Sequence, residues 1–192
     1  MNELFDEALI ARNRARALAS NAAGSDFLLE LAARELADRL SLVERRFDEA
    51  VELFGGTGLT ARAALATGKI GALRRIETDA NFGEAEIPVT VSDYESVPLE
   101  PQSVNLILSP LSLHLTNDTP GMLIQMRRAL KPDGLLLAAI PGSGTLAELR
   151  EVLLAAETEI YGGASPRVIP FADMRDIGSL LQRAGFALPV ID

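Results

Sequence analysis

The chain has 192 residues, 48% of them apolar, with a net charge of −9 and a pI of about 4.7. That length suits one α/β domain with a full core. The acidic balance repels phosphate backbones, so nucleic acid is not an expected partner. There is no cysteine, which excludes disulfides, thiolate catalysis and Cys-based zinc sites. No apolar run approaches the ~20 residues of a membrane span. Glu3, Asp6 and Glu7 stand where a signal peptide would be apolar, so a cytoplasmic protein is the expectation.

In chain order, residues 2–20 read as a helix carrying Leu4, Phe5, Ala8, Leu9 and Ala15, with Arg12, Arg14 and Arg16 close together. Those arginines read as a solvated face or as the source of one residue that caps a ligand site. Asp26 resembles an N-cap for a second helix with Leu28, Leu31, Ala32, Leu36 and Leu40 at helical spacing. About 45 residues of helix thus precede the first strand, Ala50 to Phe54. A Gly-rich turn follows, Gly55-Gly56-Thr57-Gly58, and then a helix from Leu59 to Thr67 closed by Gly68. Glycines suit a turn where the backbone must come close to a ligand, because a Cβ would block the approach. The helix start beyond it offers free N–H groups and a positive dipole end.

The second strand reads as Gly71 to Ile76, ending at Glu77, and residues 79–86 as a turn. A third strand runs from Val89 to Ser92 and ends at Asp93. A fourth runs from Val104 to Ser109, its continuous Leu106-Ile107-Leu108 typical of a buried parallel strand. Thr119-Pro120 opens a helix bearing Met122, Leu123, Met126 and Leu130. Lys131-Pro132-Asp133-Gly134 is a turn, and Leu135 to Ile140 a fifth strand. A helix from Thr145 to about Ile160, an irregular loop, a last helix from Asp173 to Ala184 and a sixth strand from Phe186 to Ile191 complete the chain. Strands alternating with helices predict a single domain, 1–192, built on a Rossmann-like doubly wound parallel sheet in order 3-2-1-4-5.

Ligands of open α/β sheets bind outside the carboxyl ends of the strands. Gly55, Gly56 and Gly58 lie at the first such end, with Glu52 in the strand before them. Glu77, nineteen residues past Gly58, can accept hydrogen bonds from both hydroxyls of a ribose. Asp93 can accept from an adenine amino group. Ser109 and His114 follow at the end of strand four.

Glu52, Gly56-Thr57-Gly58, Glu77, Asp93 and Leu130-Lys131-Pro132-Asp133-Gly134, in that order, resemble a class I S-adenosylmethionine (SAM)-dependent methyltransferase. Several stretches resemble, more narrowly, the complex I assembly methyltransferase-like family. They include Leu4-Phe5-Asp6, Leu111-Ser112-Leu113-His114, Asn117-Asp118, Thr145 to Arg150, Gly162-Gly163-Ala164-Ser165-Pro166 and Arg183-Ala184-Gly185-Phe186. The resemblance implies SAM as cofactor, with Glu52, Gly55, Gly56, Gly58, Glu77, Asp93 and Ser109 around it and no resident metal. It implies a small-molecule or protein acceptor. In mitochondrial members it implies hydroxylation of an arginine in a respiratory complex I subunit.

The chain departs from the pattern at Phe54, where the family has a glycine, at Asn105 and Gly144, where it has acids, and in stopping at Asp192 before a seventh strand, as a truncated chain would. Phe54 shares a strand face with Glu52, so its ring is expected to lean toward the methionine part of SAM and weaken binding. His114, the only histidine, is the candidate catalytic base; Tyr161 and Arg167 are candidates for the acceptor side. A 2-His-1-carboxylate iron site needs two histidines. Gly56-Thr57-Gly58-Leu59-Thr60-Ala61 also fits the G-x-G-x-x-A of a nicotinamide oxidoreductase, with Glu77 at the right distance. A non-catalytic assembly factor that has lost SAM through Phe54 is the remaining reading.

Overall fold

Short runs of Val, Ile and Leu build the centre of the molecule. The structure, a computed structural model, describes residues 3–20, 22–83 and 86–192. Strands β1 (Phe47–Leu53), β2 (Ile70–Glu77), β3 (Val89–Val91), β4 (Val104–Pro110) and β5 (Leu130–Ala139) form one sheet. Their order is β3-β2-β1-β4-β5 and every pairing is parallel, as the strand–helix alternation predicted. Leu106, Ile107 and Leu108 are fully buried, which fits a central strand covered on both faces.

The helices are α1 (Glu7–Ser20), α2 (Phe27–Ser41), α3 (Leu59–Ala66), α4 (Thr119–Ala129), α5 (Ala147–Tyr161) and α6 (Met174–Arg183). The path β1–α3–β2 moves one way along the sheet and β4–α4–β5 the other. Right-handed crossovers therefore put α3 and α4 on opposite faces. On the α3 side, Leu40 of α2 joins Ala61 and Ala64 of α3, with Phe47, Ala50, Leu73, Leu106 and Leu108 of the sheet, in one apolar cluster. Met122, Leu123 and Met126 are the buried stripe of α4. Asp118 caps that helix, its carboxylate accepting from the Gly121 N–H at 2.8 Å.

The chain divides into two compact units, residues 1–140 and 141–192. The sheet and α1–α4 belong to the first, α5 and α6 to the second. Several expectations change. Asp26 occupies the N-cap position of α2 but makes no side-chain cap bond. Leu28 and Leu31 are exposed while Ala33 is buried, so the core stripe of α2 sits a step around the helix from the predicted one. The predicted turn 131–134 is an excursion within β5: Leu130 pairs with Val104 and Leu135 with Leu106, leaving four residues opposite Asn105. The predicted sixth strand is absent among the described residues, and residues 186–191 are irregular. Pro189 has no N–H to give to a ladder, and Leu188 and Val190 are 91% and 87% exposed. Of the predicted turn 79–86, the structure describes a 3₁₀ turn at Ala80–Phe82, while residues 84 and 85 lie outside the described residues. The predicted helix start at Asn2 also lies outside them, and α1 begins at Glu7. No helix of the described residues is long and apolar enough to cross a membrane.

The segment ahead of α1 is tied to the loop before α4. The Asn117 side-chain carbonyl accepts from the N–H groups of Leu4 and Phe5, both at 2.8 Å, and its amide donates to the Phe5 carbonyl at 3.1 Å. This docking holds α1 over the carboxyl ends of the strands. Replacing Asn117 by Ala should raise amide exchange across residues 4–18 at least several-fold. Protection of β1 and β4 should stay unchanged. Equal exchange in both regions would show that Asn117 does not anchor α1.

Candidate functional site

The pleat sets out the site. Glu52 of β1 lies beside Arg75 of β2 in register, and Glu77 follows two residues later, so all three point to the same face. All three side chains are fully buried. The Arg75 guanidinium donates through Nε to Glu52 Oε2 at 2.6 Å and through Nη2 to Glu77 Oε1 at 2.8 Å. It also donates through Nη1 to the Phe82 carbonyl at 2.7 Å and through Nη2 to the Gly56 carbonyl.

The glycine loop closes around this ion cluster. The Gly56 N–H donates to Glu77 Oε1 at 2.8 Å, and the Ala61 N–H, at the start of α3, donates to Glu52 Oε1 at 2.9 Å. A Cβ on Gly55 would lie 2.3 Å from the Glu52 carboxyl carbon, so Gly55 is small because Glu52 fills its space. Gly56 and Gly58 have φ of 70° and 72°, the left-handed region that a side chain disfavours. Glu77 Oε2 has no hydrogen-bond partner, and the buried hydroxyls of Thr57, Thr60 and Thr78 have none either.

Above the loop stands Arg14 of α1, the member of its arginine trio that reaches the site. Arg14 Nη2 donates to the Phe54 carbonyl at 2.6 Å and lies 3.8 Å from Glu77 Oε2. Nη1 donates to the Tyr94 hydroxyl at 3.4 Å, and the guanidinium lies over the rings of Tyr94 and Phe82, 5.6 Å from each centroid. Arg12 and Arg16 are exposed. Phe54 has φ of 54°, which breaks the strand alternation one residue past β1. Its ring is buried and stacks on Tyr94 at 4.8 Å, and the Tyr94 hydroxyl donates to the Ser112 carbonyl at 2.9 Å. The ring therefore lies among groups at the strand ends, outside the apolar cluster under α3.

Burial raises Glu77 from the ordinary carboxyl value of 4.5 to about 7, against the opposing charges of Arg14 and Arg75. Burial raises Glu52 as well, again against the pull of Arg75. It pushes the Tyr94 hydroxyl up to about 12. His114, in the 3₁₀ turn Leu113–Leu115, is lowered to about 4 by burial and by the charge of Arg14, so it is a neutral imidazole at pH 7.

The predicted residues fall into three groups. Glu52, Gly55, Gly56 and Glu77 come together around Arg75, and Gly58 stands further along the same loop at the N-cap position of α3. Asp93 is exposed just past β3, one residue before Tyr94. Ser109 is buried with its hydroxyl 2.8 Å from that of Ser112, which in turn donates to the Leu53 carbonyl at 3.4 Å. That chain of bonds ties β4 to β1 and leaves Ser109 facing protein. Arg75 and Tyr94 were not foreseen. The available signal for Arg75 was a charge inside an apolar strand two residues before Glu77, on the same face by strand alternation. In the second unit, Arg167 pairs with Glu157 and Tyr161 is 76% exposed. Among the described residues no three His, Asp or Glu side chains group as a metal site requires.

Residues 55–138 match a family model described as a methyltransferase domain. The chain is 39% identical over 173 residues to human arginine-hydroxylase NDUFAF5, mitochondrial, covering 87% of this chain and 50% of that protein. It is 30% identical over 205 residues to a malonyl-[acyl-carrier protein] O-methyltransferase of Methylovorus, covering 98% of this chain and 67% of that one. The fold matches the methyltransferase solved in complex with the Haloferax volcanii Trm112 activator, with a TM-score of 0.67 and 19% identity over 91% of this chain and 75% of that one. The chain belongs to the class I SAM-dependent methyltransferase superfamily, and SAM is the cofactor that goes with membership. Within it the chain lies near the arginine-hydroxylase NDUFAF5 family, spanning about half the length of those relatives. Membership sets aside the nicotinamide reading of the glycine loop.

The raised Glu77 value makes a stability prediction. Between pH 4.5 and about 7 the folded chain keeps a proton that the unfolded chain has released, so lowering the pH through 7 stabilises the fold. His114 acts oppositely, but only below about 6.5, where the unfolded imidazole takes a proton that the folded one refuses. The melting temperature should therefore rise as pH falls from 8 to 6.5, and Glu77→Gln should flatten most of that rise. A wild-type melting temperature that falls over this interval would contradict the assignment.

Proposed function

We propose that this chain binds SAM over the Gly55–Gly58 loop and transfers its methyl group to a small-molecule or protein acceptor. The observation that carries this reading is at the loop: Glu77 Oε2, whose other carboxylate oxygen accepts from the Gly56 N–H, and the Thr57 hydroxyl are buried without a hydrogen bond. A buried acceptor without a partner costs about 1–3 kcal/mol. Ribose hydroxyls would supply donors to Glu77. Asp93, exposed beyond β3, would accept from the adenine amino group. Bound there, the cofactor supplies an electrophilic methyl group on a sulfonium.

The rest is done by the chain. Phe54 and Tyr94 stack at 4.8 Å beside the loop, and Arg14 lies 3.3 Å from where a Gly56 Cβ would stand. His114, with a value near 4, is a weak base at neutral pH. An acceptor that is already nucleophilic suits such a site better than one that must first lose a proton. The charge of −9 also favours a neutral or basic acceptor over a nucleic acid.

A second reading is protein-arginine hydroxylation or a non-catalytic assembly role, with a respiratory complex I subunit as partner. It is supported by the 39% identity to arginine-hydroxylase NDUFAF5. Intact-mass measurement of an arginine-bearing substrate separates the chemistries: a gain of a methyl group supports transfer, a gain of one oxygen supports hydroxylation, and no gain supports the assembly role.

Two titrations test the cofactor site. Glu77→Ala removes charge-assisted hydrogen bonds worth roughly 1.5–3 kcal/mol, so SAM should bind at least about tenfold more weakly. Equal affinity would show that Glu77 does not hold the ribose. Phe54→Gly restores the residue that the left-handed backbone favours and removes the ring stacked on Tyr94. Tighter SAM binding is expected, and unchanged binding would show that the ring does not obstruct the methionine part.

A further inference from the structure

Arg75 heads the fully buried side chains by volume among the described residues. A guanidinium without water must find acceptors for its donors. Here one charge meets two carboxylates and two carbonyls: Glu52 Oε2 at 2.6 Å, Glu77 Oε1 at 2.8 Å, the Phe82 carbonyl at 2.7 Å and the Gly56 carbonyl. Neutralising Arg75 needs only one of those carboxylates. The bond to Glu77 does something more specific. Nη2 of Arg75, Oε1 of Glu77 and both backbone polar groups of Gly56 close a ring, because the Gly56 N–H donates to the same Oε1. That ring fixes the Gly56 peptides and occupies Oε1. Oε2 is left as the only carboxylate oxygen of the cluster without a hydrogen bond, 3.8 Å from Arg14 Nη2.

We propose that Arg75 is a positioning residue for cofactor binding, holding the glycine loop and turning Glu77 so that Oε2 alone faces the ribose hydroxyls. The role rests on the SAM reading above. It depends on the planar fork of arginine. A lysine brings the charge as a point with a flexible stem and cannot span Glu52, Glu77, Gly56 and Phe82 together.

The test is a double-mutant cycle read by calorimetric titration with SAM on the full chain: wild type, Arg75→Lys, Glu77→Ala and the double variant. Arg75→Lys should weaken binding at least about tenfold. In the Glu77→Ala background, where no carboxylate remains to be turned, the same change should weaken it less than about threefold. Losses that multiply in full would show that Arg75 supports the fold without positioning Glu77, and overturn the proposal. Unchanged affinity of Arg75→Lys would overturn it too. If circular dichroism shows Arg75→Lys unfolded, the cycle is run with Arg75→Gln, whose amide keeps one donor toward Glu77, and the same coupling is expected. A wild type that does not bind SAM would overturn the cofactor reading itself and the role of Arg75 with it, whereas wild-type binding with multiplicative losses removes only the role of Arg75.

Discussion

A guanidinium sealed inside the sheet constrains everything around it. Taking Arg75 out of water is tolerable only because its donors end on Glu52, Glu77, Gly56 and Phe82. Those acceptors come from β1, the end of β2, the glycine loop and the 3₁₀ turn beyond β2. One side chain thus fixes four segments relative to one another. Removing one partner of such a cluster leaves a buried charge uncompensated, at a cost of about 3–5 kcal/mol. The glycines answer to the same constraint. Gly55 gives way to the Glu52 carboxylate, and Gly56 takes a left-handed turn that offers both its N–H and its C=O to the Glu77–Arg75 pair.

A second arginine closes the site from above. Arg14 belongs to a helix with no buried residue, so α1 has little apolar reason to stay in place. Polar ties hold it instead: Asn117 at its leading segment, and the Phe54 carbonyl and Tyr94 hydroxyl at Arg14. Two carboxylates and two guanidinia then balance, three of them buried and Arg14 partly exposed. Burial still dominates the protonation of Glu77, because Arg14 stands 3.8 Å from its free oxygen while Arg75 serves two carboxylates at once.

Phe54 shows how the backbone can settle a question that strand alternation leaves open. Alternation put its ring on the face of Glu52. Its positive φ ends that alternation, and the ring is buried and stacks on Tyr94. A glycine would adopt that backbone without strain. The chain keeps the turn of its superfamily and fills the space the turn creates with an aromatic pair.

Much of this was written in local sequence. Strand order and direction followed from apolar runs alternating with helices, because burial on both faces leaves a parallel sheet few ways to arrange such runs. The strand-end positions of the Gly loop, Glu77 and Asp93 followed from chain spacing. Local signals also misled where only neighbours decide. A hydrophobic tail at 186–191 looked like a strand, yet Pro189 has no N–H to give to a ladder and the segment is irregular. Sequence alone also could not show that the Ser109 hydroxyl lies 2.8 Å from that of Ser112, three positions on. Only tertiary structure could set Arg75 beside Glu52, since their registry depends on how β1 and β2 align, the two residues being 23 positions apart in the chain. The choice of Arg14 over Arg12 and Arg16 was likewise made by the docking of α1, because helical spacing says which arginines share a face but not which face meets the strand ends.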